Sequence, residues 1–99
     1  MVKISLKGIP IKEITIKGHA GYDESGKDIV CAALSSIVIT SVNAIIRIDN
    51  EAIDYEDKNG IKIEVLKHDN IIDSLIDNLI DLLIELKEKY PKYIEIRRC

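Results

Sequence analysis

The stretch DIVCAALSSIVITSVNAIIR, Asp28 to Arg47, decides the fold, because three architectures compete for it. Its β-branched residues Ile37, Val38, Ile39, Thr40 and Val42 suit a strand on propensity alone. Its uncharged run, Ile29 to Ile46, approaches the roughly 20 residues that span a bilayer. Ser35, Ser36, Thr40, Ser41 and Asn43 interrupt that hydrophobicity and weigh against a membrane span. A segment this long without an internal turn residue reads as a helix rather than a strand. We therefore expect a buried helix ending near Arg47. Nearly uncharged all round, it needs cover on more than one side.

Upstream, Val2, Ile4 and Leu6 alternate with Lys3, Ser5 and Lys7, and Ile14 and Ile16 alternate with Glu13, Thr15 and Lys17. Period two is the mark of half-buried strands, and Gly8-Ile9-Pro10 supplies the turn of a hairpin. Downstream, the segments Ala52 to Glu56 and Ile61 to Val65 flank Asn59-Gly60, a type I′ hairpin signal. Ile72, Leu75, Ile76, Leu79, Leu83 and Leu86 then recur at helical spacing, with Asp73, Asp77, Asp81 and Glu85 opposite. Asp69 or Asn70 caps this helix and Tyr90-Pro91 stops it. Tyr93 to Arg97 reads as a last strand with Ile94 and Ile96 inward. The order ββαββαβ predicts an α+β fold, two helices packed on a mostly antiparallel or mixed sheet. Neither a linker nor a repeat divides the chain, so residues 1–99 form a single domain.

The composition narrows the function. With no tryptophan or phenylalanine, the core is aliphatic. A net charge of −3 argues against direct nucleic-acid binding, which needs a net basic face. The pair Arg97-Arg98 is too short to alter that. Two cysteines are no disulfide framework, and the first residues read as a strand rather than a signal peptide. A cytoplasmic protein with reduced thiols and no membrane partner is the expectation.

Chemistry concentrates in Gly18-His19-Ala20-Gly21-Tyr22 and Gly26-Lys27-Asp28-Ile29-Val30-Cys31. A histidine and a cysteine stand either side of a glycine-bearing loop, where a strand pattern gives way to a helix. Imidazole and thiol can form a nucleophile pair near neutral pH. The loop from Ala20 to Lys27, with Gly21, Ser25 and Gly26, should be mobile. With Asp28 as N-cap, Cys31 is the third helical residue; a capping box of Ser25 and Asp28 would move it a turn inward. The first arrangement is preferred. It sets Cys31 in the positive field of the helix end, beside free amides able to hold an oxyanion. His19 would complete a thiolate–imidazolium pair. Asp28 either orients His19 or only caps the helix.

Plainer readings stand beside these. A cysteine in an apolar helix is usually a small core residue. A histidine at a strand end is usually solvated, and Gly18 and Gly21 suit turn geometry. Cys99 and His68 read as bystanders. One histidine and one cysteine cannot make a four-ligand zinc site, so neither metal nor cofactor is expected. Spacing alone leaves the catalytic and structural readings balanced.

The segment from Gly18 to Tyr22, followed by Gly26 to Ser35, resembles the signature of the ribosomal-processing cysteine protease (Prp) family. The resemblance extends more weakly through Asn43 into the acidic second helix. It implies a homodimeric cysteine endopeptidase that removes an N-terminal extension from a bacterial large-subunit ribosomal protein, the one whose tail reaches the peptidyl transferase centre. It further implies that Cys31 is the nucleophile and His19 its partner. Asp28 and Gly18 match supporting positions, and the loop holding Ala20, Gly21, Tyr22, Ser25, Gly26 and Lys27 corresponds to a cover that orders over substrate. Family sites follow hydrophobic residues, which suits an aliphatic cleft. An uncharged helix could gain its second cover from a dimer partner, with Ile39 and Val42 as the contact. The rival is a non-catalytic module binding ribosomes or their proteins. A thiol redox sensor would need a resolving cysteine, and only Cys99 is on offer.

Overall fold

Alternation at the start of the chain folds as β1 (Val2–Lys7) and β2 (Glu13–Lys17), an antiparallel hairpin pairing Ile4 with Ile16 and Leu6 with Ile14. Gly8 turns the chain at φ +94° beside a cis Ile9–Pro10 bond. The computed structural model describes residues 1–18 and 25–99. The chain continues through α1 (Ser25–Ile48), β3 (Ile53–Asp57), β4 (Ile61–Val65), α2 (Asn70–Lys89) and β5 (Ile94–Arg98). This is the expected ββαββαβ order.

The five strands lie in the order β3-β4-β2-β1-β5. Three neighbouring pairs are antiparallel; β5 runs parallel to β1, so the sheet is mixed. Asn59 and Gly60 both take positive φ, 52° and 113°, as a type I′ turn requires. The register nevertheless pairs Asp57 with Ile61, so three residues rather than two make the connection.

Period two gives the sheet one apolar face and one charged face. Val2, Ile4, Leu6, Ile14 and Ile63 are buried with the two helices in one core. On the opposite side Lys3, Lys7, Lys62 and Glu64 stay exposed, the usual state of an antiparallel sheet covered on one face. In α2, Ile72, Ile76, Leu79, Leu83 and Leu86 form the buried stripe. Asp69 caps it: its Oδ1 accepts from the amides of Ile71 at 3.0 Å and Ile72 at 2.9 Å, satisfying two donors the helix cannot. Asn70 is the first helical residue.

The uncharged segment is a helix, as read, but a half-buried one. Val30, Leu34, Val38, Val42 and Ile45 follow one face and are 0–6% exposed. Ile29, Ile39 and Ile46 on the outer face are 54%, 52% and 40% exposed. The expected cover on more than one side is therefore not supplied by the described residues. Val42 belongs to the core, which corrects its assignment to an outer contact. By length and composition Ile29–Ile48 could cross a membrane; the core stripe along it accounts for the same hydrophobicity within a folded domain.

Candidate active site

Where β2 ends, Gly18 takes φ +96°, a conformation strained for any residue with a side chain. A Cβ there would also lie inside the contact distance of the Met1 carbonyl oxygen. The start of the chain thus crosses directly over Gly18, and only glycine lets both backbones pass. Gly60 has the same character: its φ is +113° and a Cβ would lie 2.8 Å from the Ile16 carbonyl oxygen. The β3–β4 turn therefore sits close against the end of β2.

Gly18 and Cys31 line one cleft of about 270 Å³. Its walls are aliphatic, from Val2, Ile16, Leu34 and Ile61, with Ser35 one helical turn beyond Cys31. Cys31 is exposed at this cleft, unpaired with any other sulfur. The plain reading, a cysteine packed in the core, fails for this residue. Val30 beside it is fully buried, so the face of α1 that meets the core is one residue away.

Two expectations about the helix start are corrected. The helix begins at Ser25, so Ser25, Gly26 and Lys27 are helical rather than loop, and Asp28 is its fourth residue, not its N-cap. Cys31 is accordingly the seventh residue, almost two turns in. An amide at that depth is bonded to the carbonyl four residues back. The dipole effect also fades within the first turn. Any activation of the thiol must come from a neighbouring group rather than the helix end. His19, Ala20, Gly21 and Tyr22 lie outside the described residues. Cys99 is also exposed, but at the opposite, open face of the sheet beside Lys7 and Thr15. His68 holds Asp73 through Nδ1 at 2.9 Å, near the start of α2 and away from the cleft.

The sequence model of the family described as cysteine protease Prp matches residues 1–95. The chain belongs to the Prp cysteine protease family. Ribosomal processing cysteine protease Prp of Staphylococcus aureus is 42% identical over 52 residues, 50% of this chain and 49% of that protein. The chain thus spans about half the length of that relative in the match. The Bacillus subtilis protein of the same name is 48% identical over 40 residues, 40% of this chain and 34% of its own. Among solved structures, S. aureus Prp in complex with a substrate peptide superposes with a TM-score of 0.89 at 23% identity, covering all of both chains. At that identity the likeness speaks to the fold, and the mixed five-stranded sheet with two helices is the Prp fold.

Sequence reasoning missed one residue of the cleft wall that carries charge. Asp57 ends β3 on the helix-facing side and lines the cleft opposite Cys31's helix. Its charge, after burial, holds the Tyr55 hydroxyl above its ordinary value of 10.0. The signal was present: along β3 the inward positions read Ile53, Tyr55, Asp57, and the last breaks the apolar alternation.

Proposed function

We propose that this chain is a cysteine endopeptidase that removes the N-terminal extension of a bacterial large-subunit ribosomal protein, with Cys31 as nucleophile and His19 as its proton partner. The observation that carries the reading is an exposed thiol at a cleft walled by aliphatic side chains, in a chain of the Prp family. Gly18, the residue before His19, lines that same cleft, which supports the pairing.

In this mechanism His19 takes the Cys31 proton and the thiolate attacks the scissile carbonyl carbon. The resulting imidazolium protonates the leaving amine as the carbon–nitrogen bond breaks, leaving a thioester on Cys31. Water, deprotonated by His19, then cleaves the thioester and restores both groups. Asp28, in the first turn of α1, acts as an orienting residue, and Ala20, Gly21 and Tyr22, ahead of that helix, contribute to the cover over bound peptide. A net charge of −3 favours approach of a basic ribosomal protein. The enzyme works in the cytoplasm as a homodimer without metal or cofactor. Support for the dimer is the outer face of α1, where Ile39 and Ile46 are exposed large apolar side chains.

The rival, a non-catalytic ribosomal-protein-binding module, requires no accessible sulfur, and the exposure of Cys31 weighs against it. Intact-mass spectrometry of the extended ribosomal protein tests the choice. Wild type should release the extension and Cys31→Ala should bind without cutting. Equal cleavage by Cys31→Ala, or none by wild type, would overturn the proposal.

A further inference from the structure

A carboxylate stands at the end of β3 where the sheet's apolar face should continue. Registers carry one row across that face: Asp57 pairs with Ile61, Ile61 with Ile16, and Ile16 with Ile4. Side chains along this row share the helix-facing side. Ile4 is completely buried, Ile16 is nearly so, and Ile61 is half-buried at the cleft. Asp57 then places a negative charge at the open end. Among the described residues Asp57 makes no ion pair. The alkyl stem of Lys17 would meet a Cβ on Gly60 beside it, yet the Lys17 ammonium is not paired with Asp57. Among the described residues, Asp57 is the one charged side chain lining the cleft that holds Cys31.

A cleft with an apolar floor and, at its end, a carboxylate that pairs with no described cation fits a ligand of matching pattern. We propose that Asp57 is a specificity-determining residue that receives a lysine or arginine side chain of the bound peptide, while Ile16 and Ile61 hold an adjoining hydrophobic one. The proposal rests on the reading of this cleft as the peptide site and deepens it by naming the side-chain chemistry selected. Spacing supports it: neighbouring strands lie about 4.8 Å apart, so the carboxylate is one strand beyond the apolar contact with Ile61. A long basic side chain can lay its methylenes along Ile61 and bring its charge to Asp57.

The test uses pairs of peptides carrying either lysine or norleucine, which lacks the charge, at each of the three positions flanking the scissile bond on both sides. Affinity is measured on Cys31→Ala with and without Asp57→Asn, and kcat/KM on wild type and Asp57→Asn. At one position lysine should be preferred by a factor of about three to ten, the range for a partly solvated ion pair. Asp57→Asn should bring the ratio to one, and Asp57→Lys should turn the preference toward glutamate. In wild type, raising salt should erode the lysine preference and leave norleucine binding unaffected, a result independent of any variant's folding. A lysine-to-norleucine ratio equal in wild type and Asp57→Asn at every position, or insensitive to salt, would overturn the proposal while cleavage stands. Selective binding by Cys31→Ala without cleavage by wild type would instead overturn the peptidase reading and keep the acidic subsite.

Discussion

Replacing Gly18 with alanine probes how the fold builds the cleft. Two costs add. An alanine at φ +96° costs about 1–3 kcal/mol of backbone strain. Its methyl would also collide with the Met1 carbonyl oxygen, a backbone atom that moves only if the start of β1 moves. Val2 is pinned there by its amide, which donates to the Tyr93 carbonyl at 2.8 Å. A total loss of about 3 kcal/mol is expected, a large share of the ~5–15 kcal/mol that stabilises a domain. Urea denaturation would show a midpoint lower by roughly 1–3 M. Gly8→Ala supplies the control, because Gly8 has nearly the same φ, +94°, at the other end of the hairpin. There a Cβ meets the movable Lys12 Cγ and the Pro10 carbonyl, both at 3.0 Å. Both variants should lose stability, Gly18→Ala more. Only Gly18→Ala should also lose kcat under conditions where each remains folded. Equal kcat in the two variants, or an unshifted midpoint for Gly18→Ala, would refute the crossing of Met1 over Gly18 as the device that shapes the site.

Two further substitutions separate surfaces the sequence could not. Ile39→Glu lies on the exposed face of α1 and should convert the proposed dimer to a folded monomer in gel filtration; an unaltered elution volume places the contact elsewhere. Val42→Glu buries a carboxylate at a position 4% exposed, and should unfold the protein at a cost above about 4 kcal/mol. A third concerns acid stability. Asp49 accepts from the Glu51 amide and pairs with Lys67 at 3.0 Å, which together hold its carboxyl below the ordinary 3.8. Its contribution is therefore present above the unfolded value and is lost as pH falls through the lower folded one. Wild type should be more stable than Asp49→Asn at pH 7, and the gap should close as pH falls below the ordinary 3.8 and through the lower folded value. A gap that persists there would mean the carboxylate's charge is not its source.

Much of this architecture could be read from local pattern. Alternation at Val2, Ile4 and Leu6, the Asn59-Gly60 turn and the Asp69 cap each involve neighbours in sequence, where one physical rule decides. The start of α1 was harder, because Ser25 and Asp28 are both good N-cap residues and the rules for each are equally met. The buried face of α1 was also hidden: a helix uncharged on all sides gives no cue to tell Val42 from Ile39. For the cleft, Gly18 and Cys31 were visible as chemistry-bearing residues. Asp57 was marked only by the broken alternation Ile53, Tyr55, Asp57, and its place at the cleft depends on the non-local registers that join β3, β4 and β2. Its neighbours Lys58, Asn59 and Gly60 made it look like part of a turn.

The pairing of Cys31 with His19 is open to one direct measurement. Both thiols are exposed, so access alone predicts similar alkylation rates for Cys31 and Cys99. Iodoacetamide labelling below neutral pH, followed by peptide mapping, should find Cys31 modified several-fold faster than Cys99, with the advantage gone in His19→Ala. Equal rates in wild type, or an advantage that survives loss of the imidazole, would contradict the pairing on which the proteolytic account depends.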